Sequence, residues 1–263
     1  MDFTLDKYSK LCTALLASGY SIYTVAQYLS RSEQTGKTAV LRHDVDRKPG
    51  NAVKMAMREK KLGITSSYYF RMNSAGFRYD IIKAIANMGH EIGYHYEVLD
   101  KARGDYRKAI QIFERELAEL RKIADVKTIC MHGNPLTKWD NRDLWSKYDI
   151  KTFGLMGEAY LSFSDITYLS DTGRTWNPKH KIKDWLPSER GHEGQNDIVK
   201  SIGCTDELIG LIINGQPETI YLVVHPHRWA KSWIWWSLNF MQDLMINQLK
   251  SILVFGKDRV RNS

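Results

Sequence analysis

Aspartate side chains follow an apolar, strand-like segment near residue 44. The segment LRHDVD ends in Asp44 and Asp46, and alternation along a strand directs both to the same side. Two carboxylates placed together repel each other unless a cation or a shared proton lies between them, so the pair indicates a metal site. An aspartate pair that caps a helix or a turn is an equally good interpretation of these two residues alone.

A second group of candidate ligands lies in the segment GHEIGYHYE. Alternation places Glu91, His95 and Glu97 on one side of a strand. A neutral imidazole and a carboxylate are both natural zinc ligands. A single histidine is more often a hydrogen-bonded structural residue, so the metal interpretation of His95 depends on its neighbours.

Two more histidines end apolar segments. His132 in CMHGNP precedes a Gly and Pro turn, and His225 in VVHPHRW precedes a proline, which holds it in an extended conformation. Four segment ends thus carry Asp or His side chains, which are donors that bind transition metals. This coincidence favours a shared metal site over unrelated structural histidines.

The elements that would position these residues alternate between strand and helix. Such alternation, with connections too long for hairpins, predicts a parallel α/β sheet in one domain, either a barrel or a doubly wound sheet. The carboxyl ends of the strands meet at one edge in these folds, and the active site lies there. The expected strands are residues 37–45, 64–70, 91–96, 126–131 and 219–224, the expected helices are residues 5–16, 49–62, 77–88, 105–123, 205–213 and 229–254, and residues 144–195 are expected to form short strands and long loops.

Composition and charge narrow the functional classes. The three cysteines, Cys12, Cys130 and Cys204, are far apart, so we expect neither a disulfide framework nor a CxxC zinc or redox site, and we expect a cytoplasmic location. The chain shows no secretory signal and no span of about 20 apolar residues. Its net charge of +8 suits an anionic partner or a basic surface, but no motif for nucleic-acid recognition accompanies that charge, so nucleic acid is not expected to bind.

The motifs LRHDVD, GHEIGYHYE, HGNP and HPxRW, in this order, resemble those of the NodB-homology polysaccharide deacetylases, which are carbohydrate esterase family 4 proteins. The resemblance extends from about residue 38 to residue 229. It implies a distorted (β/α) barrel of about seven parallel strands with one divalent metal ion, usually zinc. It further implies that Asp44 is the general base, that Asp46 and His95 are metal ligands, and that His225 is the catalytic acid.

One position departs from the family pattern. Family members commonly carry a second ligand histidine four residues after the first, but the residue four positions after His95 is Leu99, which cannot bind a metal. His132 is the preferred third ligand, because it ends a neighbouring strand, and Glu97 is the alternative. At the place of His132 the family usually has an arginine-containing motif, so the charge that adjusts the base is expected elsewhere.

The resemblance also suggests residues that support the site or bind substrate. Asp171 and Trp176, in LSDTGRTW, resemble a later Asp and Trp motif of the family, and Arg174 is a candidate for the missing positive charge. A backbone N–H near Asn134 is expected to stabilise an oxyanion. Trp229 is expected to line the substrate groove or the core.

The implied activity is the removal of an N-acetyl group from an amino sugar in a polysaccharide or glycan precursor, and this substrate is free, nucleotide-linked or lipid-linked. The alternatives are a hydrolase of the same fold acting on a non-sugar C–N bond, and an inactive carbohydrate-binding barrel. We expect an N-terminal helical extension over residues 1–36, a barrel over residues 37–228 and a C-terminal helix over residues 229–263. Packing of that helix against the barrel is favoured over peripheral contact with a membrane, and no oligomeric state is predicted.

Overall fold

A parallel β-sheet forms the centre of the computed structural model, which describes residues 1–32, 36–178, 183–187, 199, 201–229 and 237. Seven strands follow one another in the order β6-β5-β4-β3-β2-β8-β7, and β1 pairs with β2 beside this path. The strands are β1 (Ser21–Tyr23), β2 (Thr38–Val45), β3 (Ser67–Phe70), β4 (Glu91–Tyr96), β5 (Thr128–Met131), β6 (Gly157–Glu158), β7 (Thr167–Ser170) and β8 (Thr219–Val224).

The sheet curls into a half-barrel, so the predicted distorted (β/α) barrel of about seven parallel strands in a single domain is confirmed. Strand β2 lies at its centre. One side of β2 pairs with β8 along residues Thr38–His43. The other side pairs with β1 over Thr38–Val40 and with β3 over Arg42–Val45, so two short strands share one edge of β2.

Helices cover the sheet, and each buries one apolar face. In the longest helix the buried residues Ala109, Phe113, Leu117 and Leu120 are spaced by three or four positions, which is the spacing of one helix face. The helices are α1 (Leu5–Ala17), α2 (Val25–Leu29), α3 (Pro49–Lys61), α4 (Tyr79–Asn87), α5 (Val98–Lys101), α6 (Tyr106–Arg121) and α7 (Thr205–Ile213), with short 3-10 turns at Asn141–Ser146, Ile150–Phe153 and Pro226–Arg228.

The two faces of the sheet belong to two hydrophobic cores. Along β2, Val40 lies in the core inside the curl, whereas Ala39 and Leu41 lie in the core that includes α1. Because strand side chains alternate, Arg42 and Asp44 point inward and His43 points toward α1. Burial on both faces explains why β8, with the sequence TIYLVV, is a nearly continuous apolar run.

The structure confirms the strand and helix alternation, with bounds that differ by a few residues from the predicted ones. The region 1–36 contains β1 in addition to its helices. The predicted C-terminal helix lies outside the described residues except for Trp229 and Ser237, and the proposed division into three regions stays a prediction. No described helix has the length and apolar character needed to cross a membrane.

Candidate metal centre

Three predicted ligands meet at the carboxyl edge of the sheet. Asp46 follows β2, His95 lies in β4 and His132 follows β5. Asp46 Oδ1 is 3.3 Å from His95 Nε2 and 3.2 Å from His132 Nδ1, and the three donor atoms lie within 4.8 Å of one another. The residues are largely buried, with Asp46 and His132 each 17% exposed at the side chain.

Backbone groups fix the imidazole of His95 and the main chain of His132. His95 Nδ1 lies 3.0 Å from the carbonyl oxygen of Cys130, so this nitrogen carries the proton and Nε2 is left with a free lone pair. The backbone N–H of His132 donates to Tyr96 O at 2.7 Å, and its carbonyl accepts from Asn141 Nδ2 at 3.0 Å. The carboxyl ends of β4 and β5 therefore present two nitrogen donors side by side.

The arrangement fits a divalent metal ion. Zn–N bonds of about 2.0–2.1 Å and Zn–O bonds of about 2.0–2.2 Å, meeting at a tetrahedral angle, place neighbouring donor atoms about 3.4 Å apart. The two measured separations, 3.3 and 3.2 Å, are close to that edge length. Within the described chain, Asp46 Oδ1 is buried and accepts no hydrogen bond of acceptable geometry. A buried carboxylate oxygen without a hydrogen bond is stabilised by a nearby positive charge, either a metal ion or a protonated imidazole.

The charge state of the triad also suits a cation. Burial opposes ionisation of Asp46, but the nearby imidazoles of His132, His95 and His225 hold the pKa of Asp46 well below its usual range. Burial lowers the pKa of His95, but the carboxylates of Asp44 and Asp46 raise it above its usual value overall. The site thus concentrates negative charge that only a cation or imidazole protonation neutralises.

A second carboxylate, Asp44, lies beside the triad and is paired with Arg42. Arg42 Nε and Nη2 donate to the two oxygens of Asp44 at 2.8 and 2.7 Å, and both side chains are essentially fully buried. The guanidinium also lies over the Tyr160 ring, 4.3 Å from its centroid, and donates to the Tyr221 hydroxyl at 3.1 Å. Burial opposes ionisation of Asp44, but the Arg42 charge and then His95 lower its pKa below the usual value.

His225 lies beside Asp44 because of the strand register. His43 of β2 pairs with Val224 of β8, so the next residues on the two strand paths, Asp44 and His225, lie side by side. The Asp171 carboxylate is 2.6 Å from His225 Nδ1 and also accepts the His225 backbone N–H at 2.9 Å. Nδ1 therefore holds a proton on its Asp171 side, which leaves Nε2 as the reactive nitrogen.

Asp171 is held in turn by residues of the HPxRW motif. Arg228 Nη1 donates to it at 3.0 Å and Trp229 Nε1 at 2.7 Å. Burial opposes its ionisation, but the His225 and Arg228 charges lower its pKa below the usual value. Trp229 therefore supports Asp171 from within the core and offers no surface to a substrate.

Glu97, the alternative third ligand, and Leu99, four positions after His95, both make contacts away from the triad. Glu97 forms a short ion pair with Arg71 and accepts a hydrogen bond from Asn73 Nδ2 at 3.3 Å. Lys101 Nζ lies 3.7 Å from it. Leu99 is 1% exposed and packs in the core inside the curl. His132, which follows the neighbouring strand β5, instead joins His95 next to Asp46.

The remaining predicted residues make contacts outside the triad. Arg174 donates to the carbonyl oxygen of Arg228 at 2.7 Å, so the charge beside Asp44 belongs to Arg42. Trp176 is fully buried and donates to Thr205 Oγ1 at 3.1 Å. Asn134 Oδ1 accepts the Leu136 backbone N–H at 3.0 Å and shapes the turn that follows His132.

Sequence reasoning missed Arg42 and Cys130. Arg42 stands two residues before Asp44, so the alternation that relates Asp44 to Asp46 also directs Arg42 to that side. Cys130 Sγ is 3.9 Å from both Asp44 oxygens and forms a second donor group with Asp44 and His95. Burial raises the pKa of the Cys130 thiol well above its usual value, which keeps it protonated and a weaker donor than His132.

Comparison with known proteins adds a similarity at low sequence identity. No protein-family model and no curated protein matches the chain. Two solved structures resemble it at 13% identity and a TM-score of 0.43, and each covers 83% of this chain. They are BA3943 from Bacillus anthracis, described as a CE4 family pseudoenzyme, and a mutant of it with restored enzymatic activity. The chain spans 62% and 64% of these two proteins, less than two thirds of either.

Proposed function

We propose that this protein is a metal-dependent hydrolase that removes the N-acetyl group from an amino sugar. The observation that carries the proposal is the triad of Asp46, His95 and His132, with Asp44 and His225 next to each other beside it. A metal site with an ionised carboxylate and an oriented imidazole beside it supplies the groups that amide hydrolysis requires.

The metal ion, with zinc as the best match to one carboxylate and two imidazole ligands, supplies Lewis acidity and lowers the pKa of water when bound. Asp44 accepts a proton from the attacking water, because Arg42 keeps this carboxylate ionised. The guanidinium binds both Asp44 oxygens, whereas Asp46 Oδ1 accepts no hydrogen bond from the described residues and is the oxygen available to a metal ion. Asp44 is therefore the base, and Asp46 is the ligand.

His225 completes the reaction as the acid. Its Nδ1 proton is held by Asp171, so the imidazolium form gives up the proton on Nε2. Protonation of the sugar nitrogen allows the C–N bond to break, and the products are acetate and a free amino sugar. Asp171 stabilises the imidazolium and fixes the ring orientation.

The substrate is proposed as an acetylated amino sugar that is free, nucleotide-linked or lipid-linked. Trp176 is buried, so stacking on a sugar face falls to half-buried aromatic residues such as Trp139 and Trp185. The cytoplasmic location stays a prediction.

Acetate release tests the proposal. The zinc-loaded protein is incubated with N-acetyl amino sugars, and acetate is measured alongside Asp44→Asn, which preserves the shape of the side chain and removes the base. We expect release from the parent and a loss of at least about 100-fold in the variant. Release from simple amides but from no sugar would favour a non-sugar C–N hydrolase. Sugar binding by a zinc-loaded parent without any acetate release would favour an inactive binding barrel and would contradict the proposal.

A further inference from the structure

The carboxylate of Asp184 joins the two ends of the curled sheet. Its Oδ1 accepts hydrogen bonds from the Tyr160 hydroxyl, at 3.0 Å, and from the Tyr168 hydroxyl. Its Oδ2 accepts from Ser170 Oγ at 2.6 Å and from Thr172 Oγ1 at 2.5 Å. Tyr160 follows β6 and the other donors lie in or just after β7, and these two strands are the outermost on the path. One side chain therefore bridges the gap that a closed barrel would fill with strands.

Two of these four donors stand on either side of Asp171. Ser170 precedes it and Thr172 follows it, and the Thr172 backbone N–H also donates to Ser170 Oγ at 3.3 Å. Asp184 thus fixes the backbone on both sides of the carboxylate that holds His225 Nδ1. The path of contacts from the Asp184 carboxylate through Ser170 and Thr172 to Asp171 is unbroken, and Ser170, Asp171 and Thr172 are all buried.

We propose that Asp184 is a positioning residue for the Asp171 and His225 pair. It touches no reacting atom and acts through the two hydroxyl residues that flank Asp171. The proposal rests on the proposed function, in which His225 protonates the leaving amine. It assigns a role in acid catalysis to Asp184, which lies in no strand or helix.

The donor pattern requires a carboxylate. Burial and the Asp184 charge raise the pKa of Tyr168 well above its usual value, so this hydroxyl stays protonated and donates. Four donors need four acceptor positions, and a carboxylate has them. An asparagine would place an NH₂ group against one pair of donors, so Asp184→Asn breaks the bonds at one end of the bridge and keeps the side-chain size.

The leaving group separates positioning of the acid from general damage. An amide needs protonation of its nitrogen, whereas an activated aryl acetate releases a phenolate that needs no proton. For the zinc-loaded enzyme we expect Asp184→Asn to lower amide hydrolysis at least about 10-fold and aryl acetate hydrolysis less than about 3-fold. Bound zinc should be unchanged. Asp165→Asn is the matched control, because Asp165 is exposed, lies just before β7 and has a positive φ of 54° that asparagine tolerates.

An equal loss for both substrates, or no loss for either, would overturn the proposal. A second readout does not depend on turnover. The His225 Nδ1 proton in its 2.6 Å contact with Asp171 should give a downfield proton NMR signal in the parent and in Asp165→Asn, and this signal should shift or broaden in Asp184→Asn. An unchanged signal would refute positioning. If the parent hydrolyses neither substrate, the proposed function fails, and the NMR comparison still decides the role of Asp184.

Discussion

Replacement of Arg42 by methionine should destabilise the protein strongly through Asp44. Arg42 is 0% exposed and Asp44 is 2% exposed, so the pair is fully removed from water. Removal of one partner leaves a buried charge without compensation, which costs about 3–5 kcal/mol. The Arg42 contacts to Tyr221 and to the Tyr160 ring are lost as well, which places the expected cost toward the upper end of that range.

A second substitution, at Asp44, tests whether the unpaired carboxylate is the cause of this loss of stability. In the double variant Arg42→Met with Asp44→Asn, no buried charge is left unpaired, so we expect the double variant to recover at least about 2 kcal/mol of the loss. Arg42→Lys keeps the charge but cannot bind both Asp44 oxygens at once, so the stability of this variant should lie between that of the parent and that of Arg42→Met. Urea unfolding at pH 7 measures all four proteins. A loss below about 1 kcal/mol in Arg42→Met, or no recovery in the double variant, would refute the ion-pair reasoning.

Two further predictions concern the fold around the site. Burial opposes ionisation of Glu59, but His43 and His90 lower its pKa from 4.5 to about 2. The Glu59 carboxylate therefore contributes stability that is complete above pH 4.5 and is lost as the pH falls toward 2, about 2 kcal/mol of it by pH 3. Urea unfolding at a series of pH values should show that Glu59→Gln loses less stability on acidification than the parent does. Equal losses in the two proteins would contradict the assignment. Gly93→Ala should lower stability by about 1–3 kcal/mol, because the new Cβ would lie 2.2 Å from the Tyr69 ring. Gly210→Ala should raise stability by about 0.5–1 kcal/mol, because Gly210 lies in helix α7 and a Cβ there would meet nothing within 4 Å. Thermal unfolding measures both variants, and equal shifts of the melting temperature would contradict the packing argument.

Much of the sheet could be predicted from sequence because its strands are apolar runs bounded by turns. The predicted strand 91–96 matches β4 (Glu91–Tyr96), and the predicted strand 219–224 matches β8 (Thr219–Val224). The short strands β1 and β6 have three and two residues, which is too few for a periodic signal. Their pairing depends on neighbouring strands that are distant in the sequence.

The candidate site also contains residues that the sequence pattern predicts and residues that it does not. Alternation and strand ends predict the positions of Asp44, Asp46 and His95, because parallel strands bring their carboxyl ends to one edge. The same alternation shows Arg42 beside Asp44. Asp184 is different, because its partners stand 12 to 24 residues away along irregular chain, where no periodicity relates them. Loop contacts of this kind follow from tertiary packing and not from local pattern.

Metal stoichiometry tests the central claim most directly. Zinc is measured by elemental analysis after loading and dialysis of the parent, Asp46→Ala, His132→Ala and Glu97→Gln. The triad predicts one zinc per chain in the parent and in Glu97→Gln, and loss of zinc in Asp46→Ala and His132→Ala. A parent that binds no zinc, or a His132→Ala variant that keeps it while Glu97→Gln loses it, would contradict the metal centre described here.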